Sequence, residues 1–139
     1  MPPSRRDDLI DAAMHVFYKH GFHASSLDDI QREGGISRMT LYNHFKSKDE
    51  LVVAAMRHRD EIFRNSLMKF VESKAKTPRE RLLAVFDFHE EWFTGNEFCG
   101  CMFINASAEF SAAVDAELSP TKVVHHHYDY IGLVLSESR

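Results

Sequence analysis

The chain has 139 residues and a net charge of −4 with His neutral, 44% of it hydrophobic and 27% charged. That balance fits one globular domain, or two small helical parts, and excludes a disordered chain. It lacks a membrane-length apolar run and the apolar stretch of a signal peptide after Met1, and Cys99 and Cys101 are too few and too close for a disulfide framework, so a soluble cytoplasmic protein with no membrane partner is expected.

The first helix is expected over residues 7–20, where Leu9, Ala13, Val16 and Phe17 recur at helical spacing with Ile10 and Met14 beside them. Gly21 follows where a left-handed cap would sit. Ser26-Leu27-Asp28-Asp29, a serine with an acid three residues on, starts a short second helix. It buries Leu27 and Ile30 and stops at Gly34-Gly35. Ser37 caps a third helix. Ser47-Lys48-Asp49-Glu50 caps a fourth, with Glu50 in the reciprocal position. That helix runs to about Ser73, with Leu51, Val52, Ala55, Ile62, Phe63, Leu67 and Phe70 as its apolar residues.

Thr77-Pro78-Arg79-Glu80 is a capping box with Pro at the first helical position, so a fifth helix begins there. It carries Leu82, Leu83, Val85, Phe86, His89, Trp92 and Phe93 and ends near Thr94-Gly95-Asn96. A sixth helix is expected from Cys101 to Phe110, and a seventh from Ser119-Pro120 to about Ser136. No segment alternates as a strand would. The fold class is all-α, with a three-helix head over residues 1–47 and a helical regulatory domain over 48–139.

Two short helices joined by Glu33-Gly34-Gly35-Ile36 match the helix-turn-helix plan. Ile36, Leu41 and Phe45 can pack on Leu27, Ile30 and the first helix. The opposite face then holds Arg38, Met39, Thr40, Tyr42, Asn43 and His44. Asn pairs adenine edges, Arg pairs guanine, and Thr or Met methyls meet the thymine methyl. Ser26, Thr40, Tyr42 and Lys48 suit phosphates, which fix register without reading sequence. The opening N–H groups of the fourth helix offer another anion site. Residues 31–48 carry Arg32, Arg38, Lys46 and Lys48 against Glu33 alone, a net +3. This local sign outweighs the acidic total, because phosphates feel charges within roughly 8–10 Å. A short Leu/Tyr/Phe helix can equally be plain core, and spacing by itself does not choose.

The stretch "LIDAAMHVFYKHGFHASSLDDIQREGGISRMTLYNHFKSKDEL" resembles the N-terminal domain of the TetR/AcrR family of bacterial transcriptional regulators. The likeness runs from Leu9-Ile10-Asp11-Ala12-Ala13 through Gly21-Phe22, Ser25-Ser26 and Gly35-Ile36-Ser37. Its most diagnostic piece is Thr40-Leu41-Tyr42-Asn43-His44-Phe45-Lys46-Ser47-Lys48. "GCMFINASAEF", residues 100–110, is similar to a segment of ligand-binding domains in one branch of the family. The resemblance implies a homodimer, most simply a repressor, whose recognition helices enter successive major grooves of a near-palindromic double-stranded DNA operator. By position, Ser26, Tyr42 and Lys48 would contact phosphates, while Arg38, Met39, Thr40 and Asn43 would face bases. Met39 stands where the family often has a small residue. Gln31 and Gly34 replace the usual alanines, which should loosen the second helix by a few tenths to ~1 kcal/mol each.

The resemblance also implies a small-molecule effector held by the second half. Phe86, His89, Trp92, Phe93, Phe98, Met102, Phe103 and Phe110 are candidate cavity lining, with His89, Asn105 or Tyr128 as polar anchors; the same stripe can be ordinary core. Cys99, Cys101, His89 and His125-His126-His127 invite a metal or redox reading. Neighbouring histidines on a helix point about 100° apart, so at most two could share a site. Two small apolar cysteines and a solvated histidine face are the simpler expectation, with no metal and no cofactor. No nucleophile with its base appears, so no enzyme is expected. The alternative function is a helical small-molecule or metal-binding sensor without operator binding. Full-length relatives carry further helices for a four-helix dimer interface. The chain is therefore expected to lack its C-terminal dimerisation helices, leaving Ile131, Leu133, Val134 and Leu135 as an apolar face.

Overall fold

The computed structural model describes residues 4–110 together with Pro120, Val124 and His127. Six helices are laid out in order: α1 (Arg5–His20), α2 (Leu27–Gly34), α3 (Arg38–His44), α4 (Lys48–Lys74), α5 (Pro78–Thr94) and α6 (Met102–Glu109). Among the described residues there is no strand. Pro120, Val124 and His127 are helical; the rest of the expected seventh helix, Tyr128 and the apolar residues from Ile131 to Leu135 lie outside the described residues.

Local side chains set the helix starts. Ser4, Ser26 and Thr77 each form a full capping box, with Asp7, Asp29 and Glu80 as the reciprocal partners. The Ser4–Asp7 box begins α1 at Arg5, two residues ahead of the expected start. Ser37 and Ser47 accept the N–H of Thr40 and Glu50. Glu50 departs from expectation, because its carboxylate accepts the Lys46 N–H at 2.8 Å instead of reaching back to Ser47. α6 begins at Met102, one residue later than expected, with Cys101 as a cap that makes no side-chain bond.

The glycines divide the turning work differently from expectation. Gly21 has φ 87° and ψ 169°, extended in ψ and not a left-handed helical cap. Only glycine enters that region without strain, and it turns the chain so that Phe22 stacks on Phe17 at 5.3 Å. The left-handed cap belongs to Gly35, at φ 59° and ψ 33°. Gly34 is a packing glycine, since a Cβ there would lie 3.0 Å from the Ala12 Cβ and the Ile36 Cδ1. Alanine at that position would therefore crowd α1, so the propensity lost at Gly34 is not recoverable by simple substitution.

Two apolar clusters follow. The first joins α1, Phe22, Ile30, Ile36, Leu41 and Phe45 to the first half of α4 (Leu51, Val52, Val53, Ala55, Met56), and also to Met102, Phe103 and Ala106 of α6 and to Val124. The second joins Phe63, Leu67, Val71 and Ala75 to Ala84 and Val85 of α5. Membership changes inside α4, between Met56 and Phe63. α5 packs along α4 and buries one stripe only, so Leu82, Leu83, Phe86 and Phe93 lie exposed, as does Ile62 on α4.

Two polar ties fasten α6 and its approach to the head. The Tyr18 hydroxyl donates to the Gly100 carbonyl at 2.7 Å and accepts the Cys99 N–H at 3.0 Å. The Glu109 carboxylate accepts the N–H groups of Phe22 and His23 at 2.9 and 2.8 Å.

Candidate nucleic-acid interface and regulatory cavity

The seven residues of α3 make two turns, and their period divides them cleanly. Leu41 is buried, as is Phe45 just beyond the helix, and both anchor it to the first cluster. Arg38, Met39, Tyr42 and Asn43 lie on the outward side. Met39 is 73% exposed and Tyr42 53%, so this face is open to a groove. Thr40 is half-buried, its hydroxyl 2.9 Å from that of Ser37. His44 is exposed but borders a polar cleft with Arg6, Glu50 and Arg57, beside the recognition face.

The charges on this face are more balanced than the count over residues 31–48 suggests. Asp28 and Asp29 stand just before that window. Arg38 donates to Asp28 at 2.6 Å across the gap between α2 and α3, and the bond raises the guanidinium pKa above its ordinary value. Arg32 lies 3.5 Å from Asp29. Ser26 is also engaged: its hydroxyl donates to Asp29 at 2.7 Å while accepting the Asp29 N–H. A hydroxyl has one proton, so in this state Ser26 has none to give a phosphate oxygen. The hydrogen bonds from Ser26 hold the Asp29 carboxyl below the usual carboxylate range. Tyr42 makes no hydrogen bond among the described residues, and Lys48 opens α4 beside the free N–H groups of its first turn. Neither side chain has a hydrogen-bond or ion-pair partner among the described residues.

The second half holds a cavity of about 370 Å³ lined by Arg59, Phe63, His89, Trp92, Phe93, Phe98, Cys101, Met102, Phe103, Ile104 and His127. Of the residues expected there, His89, Trp92, Phe93, Phe98, Met102 and Phe103 converge on it. Three do not. Phe86 is 67% exposed on the far side of α5, because α4 takes only the opposite stripe. Asn105 turns back to the Cys99 carbonyl at 3.4 Å. Phe110 packs on Phe22 and His23 in the head.

Arg59 and Phe63 escaped the sequence reading. Phe63 is expected among the apolar residues of the fourth helix and Arg59 is not singled out; the two lie one turn apart on α4, and side chains of α5 and α6 complete the wall around them. The Arg59 guanidinium stacks 4.9 Å from the Tyr18 ring centre and 5.8 and 5.9 Å from those of Phe63 and Trp92. The His89 Nδ1 lies 2.7 Å from the Val85 carbonyl, which can only accept, so that nitrogen carries the proton.

His127 corrects the expectation of a solvated histidine face, being only 3% exposed. It stacks on Phe103 at 3.9 Å, and its Nδ1 is 2.7 Å from the buried Asp60, which Arg64 also holds at 2.9 Å. Burial pushes the imidazole pKa down and outweighs the opposing pull of Asp60. His125 and His126 lie outside the described residues. Among the described residues no three His, Cys, Asp or Glu side chains converge on a metal-sized site, and no helix is long and apolar enough to cross a membrane.

Residues 9–55 match the family model for bacterial regulatory proteins, tetR family. The HTH-type transcriptional activator FasR of Mycolicibacterium smegmatis is 38% identical over 90 residues, which covers 62% of this chain and 41% of that protein. The HTH-type transcriptional regulator BetI of Brucella anthropi is 34% identical over 85 residues, 61% of this chain and 43% of that protein. Each match thus spans less than half of the relative's length. Among solved structures, a TetR-family transcriptional regulator from Streptomyces coelicolor superposes with a TM-score of 0.87 at 27% identity, over 99% of this chain and 66% of the other.

Proposed function

We propose that this chain, whose residues 9–55 match the family model for bacterial regulatory proteins, tetR family, is a ligand-responsive DNA-binding transcriptional regulator of that family. It acts as a repressor on a near-palindromic operator, which it binds as a homodimer. The observation that carries the reading is the division of α3: Leu41 and Phe45 are inside, while Arg38, Met39, Tyr42 and Asn43 stand outside in solvent. A helix in the major groove needs such a side, with side chains able to reach base edges.

The roles divide by chemistry. Tyr42 and Lys48 grip phosphates, and Asn43, Arg38 and Met39 meet bases. Two copies are required because one short helix reads only a few base pairs, whereas a symmetric pair reads two half-sites a helical turn apart. The cavity between α4, α5 and α6 receives a small effector, and the ties from Tyr18 and Glu109 carry its influence to the head.

Selection from random duplexes near physiological salt should return a palindrome, with two chains per duplex in sedimentation. On that site Tyr42→Ala and Lys48→Ala should weaken binding to all sequences alike, and Lys48→Ala should flatten the salt dependence by about one unit of slope. Asn43→Ala should relax preference at one base pair, worth roughly 1–3 kcal/mol. Wild-type affinity in all three variants would remove α3 and the head of α4 from the interface.

A further inference from the structure

The cavity is walled almost entirely by rings and aliphatic side chains, yet among the described residues that line it there is one permanent cation, Arg59. Arg59 leans over the Tyr18 ring at 4.9 Å, and no carboxylate lies within ion-pairing distance of it among the described residues. Glu33 and Glu97 border the adjoining cleft that Arg59 also lines, and neither pairs with it. The buried acid nearest in sequence, Asp60, is held by Arg64 and His127. A half-buried guanidinium that meets ring faces and no carboxylate among the described residues retains its capacity for a bidentate acceptor.

We propose that the effector is a monoanionic carboxylate on an apolar body, with the carboxylate clamped by Arg59 and the body lying among Phe63, Trp92, Phe98 and Phe103. This rests on the reading of the cavity as the effector site. A single cation balances a single negative charge; a phosphate dianion would leave excess charge in an apolar enclosure, which is costly. The His89 Nδ1 faces the Val85 carbonyl and the His127 Nδ1 faces Asp60, so neither Nδ1 competes with Arg59 for the anion. Ring pairs in the wall meet at steep angles, 67° for Phe63–Trp92 and 90° for Trp92–Phe98, and present both edges and faces to a planar or a chain-like guest.

Calorimetric titration of the full chain near neutral pH with naphthoate and its neutral counterpart naphthamide tests this, with decanoate and decanol as an aliphatic pair. Each acid that fits should bind roughly tenfold or more tightly than its neutral counterpart, since a hydrogen bond to a charged group is worth about that much. The pair that shows the larger preference identifies an aromatic or an aliphatic body. Arg59→Gln should abolish the preference of acid over neutral compound, and Arg59→Lys should keep part of it. Equal affinity of acid and neutral compound in the wild type would overturn the proposal and reduce Arg59 to a lid stacked on Tyr18. Failure of all four to bind would overturn it too. Operator binding without ligand is measured separately, so either failure leaves the DNA-binding reading to stand or fall on its own.

Discussion

Arg38 stands where a base-reading guanidinium is wanted, yet in the free protein it is bonded to Asp28. Exposed pairs of this kind are weak, so DNA can break or share the bond. On the proposed DNA-binding reading Asp28 would act as a brake, lowering the positive potential of the face and holding Arg38 in one orientation. Asp28→Ala should raise affinity for random duplex a few-fold and narrow the gap between operator and random DNA, measured by gel shift at two salt concentrations. Unchanged affinity for random duplex would show that the pair has no influence on DNA. His127 makes the second residue-scale prediction. Its folded pKa lies below its ordinary value of 6.5, so the unfolded chain takes up a proton first as pH falls. The stabilisation from the neutral ring is complete above about pH 6.5 and is lost progressively toward the lower folded value. Melting temperature should therefore drop as pH falls through 6.5, and drop less in His127→Gln; a slope identical in the two proteins would assign the acid sensitivity elsewhere.

At the scale of the element, caps and glycines decide where each helix starts and turns. Ser26→Ala should cost about 1 kcal/mol by removing the box that starts α2, read by thermal or urea unfolding. At Gly35 nothing lies within 4 Å of an added Cβ, so Gly35→Ala isolates the backbone penalty of the left-handed conformation, about 1–2 kcal/mol. Gly35→Asn should cost less, since asparagine tolerates that region. Equal loss in the two would mean that crowding, not backbone angle, dominates there. Most of this was legible in the sequence, because a cap is a local event: Ser26, Ser37, Ser47 and Thr77 announce themselves within four residues. Tertiary choices were not. Gly21 and Gly35 look alike in sequence, and which one takes the left-handed helical conformation depends on where Phe22 and Glu109 must meet. The apolar residues of α5 occupy two sides, and the sequence does not say that α4 takes the side with Ala84, Val85, Phe88 and Trp92 and leaves Phe86 in solvent. Nothing in the sequence singles out Arg59, whose contacts with Tyr18 and Trp92 lie on other helices. The partner of Arg38 is ten residues away on another helix, beyond the reach of periodicity.

Across the whole molecule, the head is not a separate bead on a stalk. α6 buries Met102, Phe103 and Ala106 in the head's own cluster, and Glu109 closes the turn before α2 by accepting two backbone N–H groups. We infer that the mechanical unit includes α6 and the first half of α4, in place of a clean division after residue 47. Glu109→Ala should leave those N–H groups without their acceptor and cost roughly 1–3 kcal/mol. Because the same turn leads into Ser26 and α2, the variant should also bind operator more weakly than its stability loss alone explains. Operator affinity equal to wild type at a temperature where both are folded would show that α6 does not set the posture of the head.

Trp92 is the only tryptophan in the chain, and it forms part of the cavity wall, at the edge of Phe98 and near Arg59. Indole emission from this protein therefore reports from a single address, and α1 to α3 contain no tryptophan. A guest entering the cavity should quench or shift the light, whereas duplex bound at the head should reach it only through the mechanical coupling between them. The molecule carries its own unlabelled optical probe, able to tell occupancy of one end from occupancy of the other.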